Sequence, residues 1–331
     1  MTKKMPELIG IVVLNYNNVS DTMECVDSIL NQITDTFKLC IVDNCSTDDS
    51  YKQLQQWKME NFSYKRPVQS PIPKELENAP LDQTEQRKNR VKQVHLIKAD
   101  KNEGYAAGNN IGLKYLKQFN DVAYFWILNN DTVVVADALQ RLRKSFDTNM
   151  QQQSETTGIL AQKILDYRHP TKIQALGGRL KRPIMQSVHI AEGHEDKSED
   201  VLSKYLAEIE YPIGAALFFS RRFLEQSGYM YEGYFLYYEE IDWLKRSLNN
   251  NMTLGYCLDS LVYHKEGATT GKSEEISNLS LAYATRNRPL YALRNEMFYF
   301  PLTMTYTVLV LTKHLCKGNF KLLKIFLLNL F

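Results

Sequence analysis

"YFWILNNDTVVV", residues 124–135, decides how the rest of this chain is read. It opens as a strand buried on both faces should, with aromatic and aliphatic residues in an unbroken run. It then stops on two amides and a carboxylate, Asn129-Asn130-Asp131. In open parallel sheets, ligands bind beyond the carboxyl ends of the strands. A core strand ending on such residues mounts a site if its neighbours end in the same way.

They do. "IGIVVLNY" (9–16) is a β-branched apolar run that ends in Asn15-Tyr16-Asn17-Asn18, and "FKLCIVDN" (37–44) ends in Asp43-Asn44. Between them, Asp21 followed by Glu24 has the capping-box spacing, and Cys25, Ile29 and Ile33 recur at helical intervals. "STDDS" (46–50) caps a second helix, with Tyr51, Leu54 and Trp57 on one face. This β-α-β-α order predicts an α/β fold, a mostly parallel sheet flanked by helices. Residues 60–90 carry four prolines and read as a long surface loop. "VKQVHLIKA" then resumes the sheet, and a helix is expected around 109–119. Further strands are expected at 157–165, 211–220 and 254–265, with a polar, acceptor-side excursion at 166–205.

The loop "NEGYAAGNN" (102–110) reaches the same rim. Gly104 and Gly108 permit a tight turn and close approach of backbone to a ligand, and Asn109 and Asn110 offer amides at a helix start. Amides with a carboxylate at neighbouring strand ends suit a nucleotide. Neither G-x-G-x-x-G nor G-x-x-x-x-G-K-[ST] is present, so a dinucleotide or P-loop cradle is excluded. Without such a cradle, a divalent cation (Mg²⁺ or Mn²⁺) held by Asp131 is the economical partner for a diphosphate. His264, ending a late strand in "VYHKEG", offers a nitrogen ligand. In "FLYYEEIDWLKRSL" (235–248), Ile241, Leu244 and Leu248 mark a buried helix face, which puts Glu239, Glu240 and Asp242 in the first turn. Acids there favour the helix dipole, and one of the three is placed to accept a proton from an attacking hydroxyl.

Composition narrows the classes. The 331 residues carry a net charge of +2, which argues against a nucleic-acid partner. The five cysteines, Cys25, Cys40, Cys45, Cys257 and Cys316, form no C-x-x-C and read as reduced thiols of a cytosolic protein. The basic N-terminus leads into a first strand, not a signal peptide. "MFYFPLTMTYTVLVLT" (297–312) is uncharged but shorter than the roughly 20 residues a spanning helix needs. Lys313, Lys317, Lys321 and Lys324 punctuate the apolar residues that follow, a composition that suits a membrane surface.

"VVLNYNN", "IVDNCSTDDS", "NEGYAAGNN", "WILNNDTVV", "PIGAALFFSRR", "YYEEIDW" and "VYHKEGATTG", in that order, resemble the family 2 glycosyltransferases over roughly residues 8–295. The branch they look like is the bacterial rhamnosyltransferase-like enzymes of cell-surface polysaccharide assembly. The resemblance implies a GT-A fold with C-terminal apolar helices and inverting transfer from a nucleoside-diphosphate sugar, dTDP-rhamnose or a UDP-hexose. The implied acceptor is a saccharide, lipid-linked at the cytoplasmic, inner face of the cell membrane. It implies that Asp43 contacts the donor base, that Tyr16 and Asn17 line the nucleotide pocket, and that Asn109 sits near ribose and phosphates. Asn129-Asn130-Asp131 stands where the family has its metal-binding D-x-D, with an amide in place of the first acid. "EEIDW" stands where the family has E-D-x-D, which makes Glu240 the implied base, with Glu239 and Asp242 as the neighbouring alternatives. His264 matches a late metal-contact position. The expected division is a nucleotide-sugar half (1–135), an acceptor and catalytic half (136–280) and a membrane-associated helical segment (281–331). The competing readings are a nucleotidyltransferase, whose glycine- and lysine-rich early loop is absent, and a non-catalytic partner in a polysaccharide assembly complex.

Overall fold

The computed structural model describes residues 7–33, 37–62, 93–153, 156–197, 202–265 and 274–328. Most of the proline-bearing loop and the "EGATTG" half of the last motif lie outside them. The N-terminal part runs β1 (Leu8–Asn15), α1 (Val19–Leu30), β2 (Phe37–Asp43), α2 (Ser50–Phe62), β3 (Gln93–Lys98), α3 (Tyr105–Lys117), β4 (Val122–Asn129) and β5 (Thr132–Val134). Next come α4 (Ala138–Gln152), β6 (Thr157–Asp166), β7 (Ile173–Ala175), the hairpin β8 (Gly178–Lys181) and β9 (Gln186–His189), and β10 (Ala216–Ser220). The chain then continues through α5 (Arg221–Ser227), α6 (Glu239–Leu248), β11 (Thr253–His264), α7 (Glu274–Asn295), α8 (Phe300–Cys316) and α9 (Phe320–Leu328).

The main sheet is ordered β3-β2-β1-β4-β10-β6-β11-β5, with β7 paired to the later part of β6 off that path. The first four strands are parallel; β10 runs antiparallel to both β4 and β6, and β5 antiparallel to β11. The strands are buried on both faces because each face has its own helical layer. Ile9, Ile11 and Val13 of β1 share one core with Cys25, Val26 and Ile29 of α1 and with Leu139, Leu142 and Phe146 of α4. Leu8 and Val12, one residue out of phase, share the other with Leu113 and Leu116 of α3 and with Trp243 of α6. That period of two is what the pleat imposes. Trp243 is fully buried among Phe219 and Phe223, at ring separations of 4.8 and 4.9 Å, and donates its indole N–H to the Gly228 carbonyl at 2.8 Å.

Several local expectations change. The N-cap of α1 is Asn18, whose side chain accepts from the Asp21 amide, and Asp21 and Glu24 instead hold Lys265. Helix α3 begins at Tyr105, so Asn109 and Asn110 lie in its second turn and not at its start. The expected strand at 211–220 is confined to its last five residues, and Leu248 is 44% exposed, off the buried face of α6. The irregular stretch 166–205 contains β7 and the β8–β9 hairpin.

The expected division between residues 280 and 281 falls inside α7. That helix carries Pro289, which has no N–H for the Thr285 carbonyl four residues earlier; Thr307 of α8 donates to that carbonyl at 3.3 Å. Leu322 and Phe326 of α9 pack on Ala282 of α7. No described helix is long and apolar enough to cross a membrane.

Candidate active site

Polar strand ends are brought together, but they do not play equal parts. Asn15 at the end of β1 is fully buried, donates to Asp43 Oδ1 at 2.8 Å and accepts from Thr22 Oγ1 at 2.7 Å. Asn130 donates to the same Thr22 oxygen at 3.0 Å. Asn15, Asp43, Thr22 and Asn130 thus form one chain of hydrogen bonds across β2, β1, α1 and the β4–β5 turn. Ser46 closes it, donating Oγ–H to Asp43 Oδ1 at 2.6 Å and its amide N–H to Oδ2 at 3.1 Å. Such a satisfied network fixes geometry in a site of low dielectric. The accessible groups beside it are Tyr16 and Asn17, and Asn17 is exposed and tied by its amide oxygen to the Thr47 N–H at 2.8 Å. Thr22 and Ser46 were not singled out in the sequence, where hydroxyls in a helix and a turn look ordinary.

Gly104 and Gly108 make room for the protein itself. Gly104 has φ +93°, and a Cβ there would stand 2.2 Å from the Phe235 carbonyl oxygen; a Cβ on Gly108 would stand 2.4 Å from Leu14. Close approach at these two positions is therefore of loop to loop and helix to strand. Asn44 ties the loop down, donating to Asn102 Oδ1 at 3.0 Å and the Gly104 carbonyl at 3.2 Å. Asn109 is fully buried; its Nδ2 donates to the Tyr105 carbonyl at 3.0 Å.

Asp131 and His264 meet because β5 and β11 pair with His264 opposite Thr132. His264 Nε2 lies 3.1 Å from Asp131 Oδ1, and Nδ1 lies 2.8 Å from Gln174 Oε1. Burial raises the Asp131 carboxyl, but the hydrogen bond and charge of His264 outweigh this and hold it below the usual carboxylate value. Gln174 fixes the tautomer with the proton on Nδ1, the kind of outer contact that orients a ligating imidazole. Nε2 then faces the carboxylate, either donating to it as imidazolium or sharing a cation with it. Adjacent ligands of an octahedral Mg²⁺ or Mn²⁺ are about 3.0 Å apart, given metal–ligand distances of roughly 2.1 Å. The separation of 3.1 Å therefore fits a cation held by both side chains. No group of three or more His, Cys, Asp or Glu side chains suited to a metal is found among the described residues. A carboxylate and an imidazole leave most of the coordination sphere to phosphates and water. Asn129 contributes through its backbone, its N–H donating to the Ala215 carbonyl at 2.9 Å.

The next residue back, Gly214, opens the way to the acids. Its carbonyl accepts from the Tyr105 hydroxyl at 2.6 Å, and the Glu240 carboxylate lies 3.9 Å from where its Cβ would be. Glu240 is partly exposed, and desolvation pushes its carboxyl up to about 7. Glu239 is only 1% exposed, its Oε1 has no hydrogen-bond partner among the described residues, and burial followed by the charge of Glu240 raises it well above the ordinary value. Asp242 is different. Oδ1 accepts from Asn295 at 2.8 Å, Tyr234 at 3.2 Å and Arg294 at 3.3 Å, and Oδ2 accepts from Arg246 at 2.8 Å. A carboxylate so saturated anchors α6. Glu240 has the exposure and proton affinity a base needs.

With this geometry in hand, relatives can be weighed. The Glycosyl transferase family 2 model matches residues 10–69, which hold most of β1, all of β2, and Asn15, Thr22, Asp43 and Ser46 of the network. The low-salt glycan biosynthesis hexosyltransferase Agl10 of Haloferax volcanii is 21% identical over 279 residues, covering 84% of this chain and 74% of its own length. The chain is therefore similar to the family 2 glycosyltransferases. The dTDP-rhamnosyl transferase RfbF of Shigella flexneri is 23% identical to this chain over 207 residues, 62% of each protein. Among solved structures, the Pyrobaculum calidifontis mannosyltransferase PcManGT, in complex with GDP-Man and Mn²⁺, superposes with a TM-score of 0.54 at 13% identity. The match covers 92% of this chain and 70% of that one, and it shows a shared GT-A fold.

Proposed function

We propose that this enzyme moves a sugar from a nucleoside-diphosphate donor, dTDP-rhamnose or a UDP-hexose, to a saccharide hydroxyl with inversion at the anomeric carbon. The observation that carries the reading is a cation-fitting Asp131–His264 contact at the end of the sheet together with a carboxylate raised to about 7 at Glu240, in the first turn of α6. Glu240 accepts the proton of the acceptor hydroxyl as its oxygen attacks. The anomeric C–O bond breaks on the opposite face, and its electron pair leaves with the diphosphate. Asp131 and His264 hold the divalent metal, whose chemistry when bound is to neutralise the departing diphosphate. Asp43, with Tyr16 and Asn17 at the accessible edge of its network, faces the donor nucleoside, and Asn15, Asn44, Asn109 and Asn130 keep that edge in shape.

The acceptor is lipid-linked in this reading, which places the enzyme on the inner face of the cell membrane as part of cell-surface polysaccharide synthesis. Support comes from apolar residues on and before α8 and α9. Phe298 is 86% exposed, Met297 67%, Phe320 66% and Leu309 61%, with Lys313 on α8, Lys317 just past its end and Lys321 and Lys324 on α9. Apolar side chains interleaved with lysines suit an anionic leaflet.

The test is thermal stabilisation by dTDP, UDP and GDP, each with and without Mn²⁺, since a ligand for the folded state raises its melting temperature. A metal-dependent shift with dTDP supports the rhamnosyl donor and one with UDP the hexosyl donor. No shift with any of the three overturns the donor reading. Sedimentation with vesicles containing phosphatidylglycerol tests the membrane part, which fails if the protein stays in the supernatant at low salt.

A further inference from the structure

Directly ahead of Glu239 and Glu240 the backbone is held in a conformation that side chains rarely adopt. Phe235, Tyr237 and Tyr238 have φ of +65°, +72° and +79°, and none is glycine. Such conformations persist only where the surroundings over-determine them, and they gather at functional sites. Here the surroundings come from a distant helix. The Asn287 amide nitrogen, fully buried on α7, lies 3.0 Å from the Tyr234 carbonyl, 2.8 Å from that of Leu236 and 3.0 Å from that of Tyr237. Two amide hydrogens are thus shared among three backbone oxygens. Asn287 Oδ1 accepts in turn from Arg286, which also donates to the Gly233 carbonyl at 2.9 Å.

The same face of α7 continues the contact at intervals of about four residues. Tyr283 stacks on Phe235 at 4.7 Å, Tyr291 lies 5.8 Å from the Tyr238 ring, and Asn295 holds Asp242. From the other side, the Tyr105 N–H donates to the Phe235 carbonyl at 2.7 Å, and Gly104 leaves that carbonyl its space. The loop is therefore pinned between the donor-half turn and α7.

We propose that Asn287 is a positioning residue for the transfer reaction: by fixing the carbonyls of residues 234, 236 and 237 it sets the direction in which Glu240 leaves the first turn of α6. This rests on the reading of Glu240 as the base. Asn287 makes no contact with Asn15, Asp43, Asp131 or His264, so its effect falls on turnover and not on nucleotide capture.

The test compares Asn287→Ser, which removes the amide donors without adding charge, with Asn287→His, which restores a ring N–H. Release of nucleoside diphosphate from dTDP-rhamnose and from UDP-glucose in Mn²⁺ gives kcat. The Mn²⁺-dependent affinity for dTDP and UDP gives donor binding. The carboxyl titration of Glu240, followed by ¹³C NMR and assigned with Glu240→Gln, reads its surroundings without any substrate. Asn287→Ser is expected to lower kcat at least thirtyfold, keep nucleotide affinity within twofold and move the Glu240 midpoint, with part of the loss recovered in Asn287→His. A serine variant with kcat within twofold and an unmoved midpoint overturns the proposal. If Asn287→Ser does not fold, Tyr283→Leu loosens the same loop at its other end and is judged by the same outcomes. Normal turnover by Glu240→Gln would instead sink the base assignment, leaving the two failures distinct.

Discussion

The two sides of the active site are built in opposite ways. On the donor side, the strand ends are held by short-range logic: Asn15, Asp43, Thr22 and Ser46 lie within 32 residues of one another and satisfy each other directly. On the catalytic side, Glu240 stands on a strained loop whose hydrogen-bond donors come from Asn287, about fifty residues further on. The first arrangement is set by neighbouring parallel strands and would keep its shape without the C-terminal helices. The second exists only when α7 is docked. In the proposed reaction, donor capture and proton removal would thus fall to parts of the molecule held by different elements.

Substitutions can break this comparison at several points. The largest effect is expected for Glu240→Gln. Loss of a positioned base costs about 10²–10⁴ in rate, while Mn²⁺-dependent nucleotide affinity stays near the parent value. Equal losses in both would mean that the acids also hold the donor. Asp131→Ala is the mirror case: nucleotide affinity in Mn²⁺ falls and approaches the metal-free value, which calorimetry with and without EDTA reads directly. Gln174→Ala removes the partner that fixes the His264 tautomer, and metal affinity should fall about 10- to 100-fold with the melting temperature little changed.

The smallest effect is on stability. Glu239 and Glu240 both keep, in the folded state, protons that the unfolded chain releases near pH 4.5. The stability they contribute is complete below pH 4.5 and is lost as pH rises through the folded value, about 7 for Glu240. Glu239→Gln should therefore be more stable than the parent at pH 8. The gain, read as a rise in melting temperature, should fade by pH 4. A constant difference across that range would remove desolvation of the carboxylate as its cause.

The same contrast explains what the sequence disclosed. The parallel sheet and the polar strand ends were legible because each rests on an unbroken run of residues, with periodicity and termination inside a dozen positions. Asp131 and His264 were legible as separate donors, but their pairing depends on the register of β5 against β11. Asp242 looked equivalent to its neighbours, because nothing local shows that Asn295, Arg294, Tyr234 and Arg246 converge on it. The repeat Tyr283, Asn287, Tyr291, Asn295 was the available signal for the docking face of α7. It was hidden because a polar–aromatic stripe beside an apolar tail has no strong hydrophobic period. The glycines were recognised as sites of close approach, yet only coordinates reveal that the approaching partners are Phe235 and Leu14.

Strand β11 carries one further consequence, for length variation. Along β6, Cys257 pairs with Gln162 whereas Val262 pairs with Ile164, so residues 258–261 bulge out of the ladder. The strand thus has two reading frames. Residues 253–257 are indexed against β6 alone, while 262–264 are indexed against β6 on one side and β5 on the other. In an uninterrupted strand, inserting one residue would turn every later side chain to the opposite face. Here the irregular stretch separates the two registers. An insertion within 258–261 is therefore expected to leave His264 paired opposite Thr132, beside Asp131.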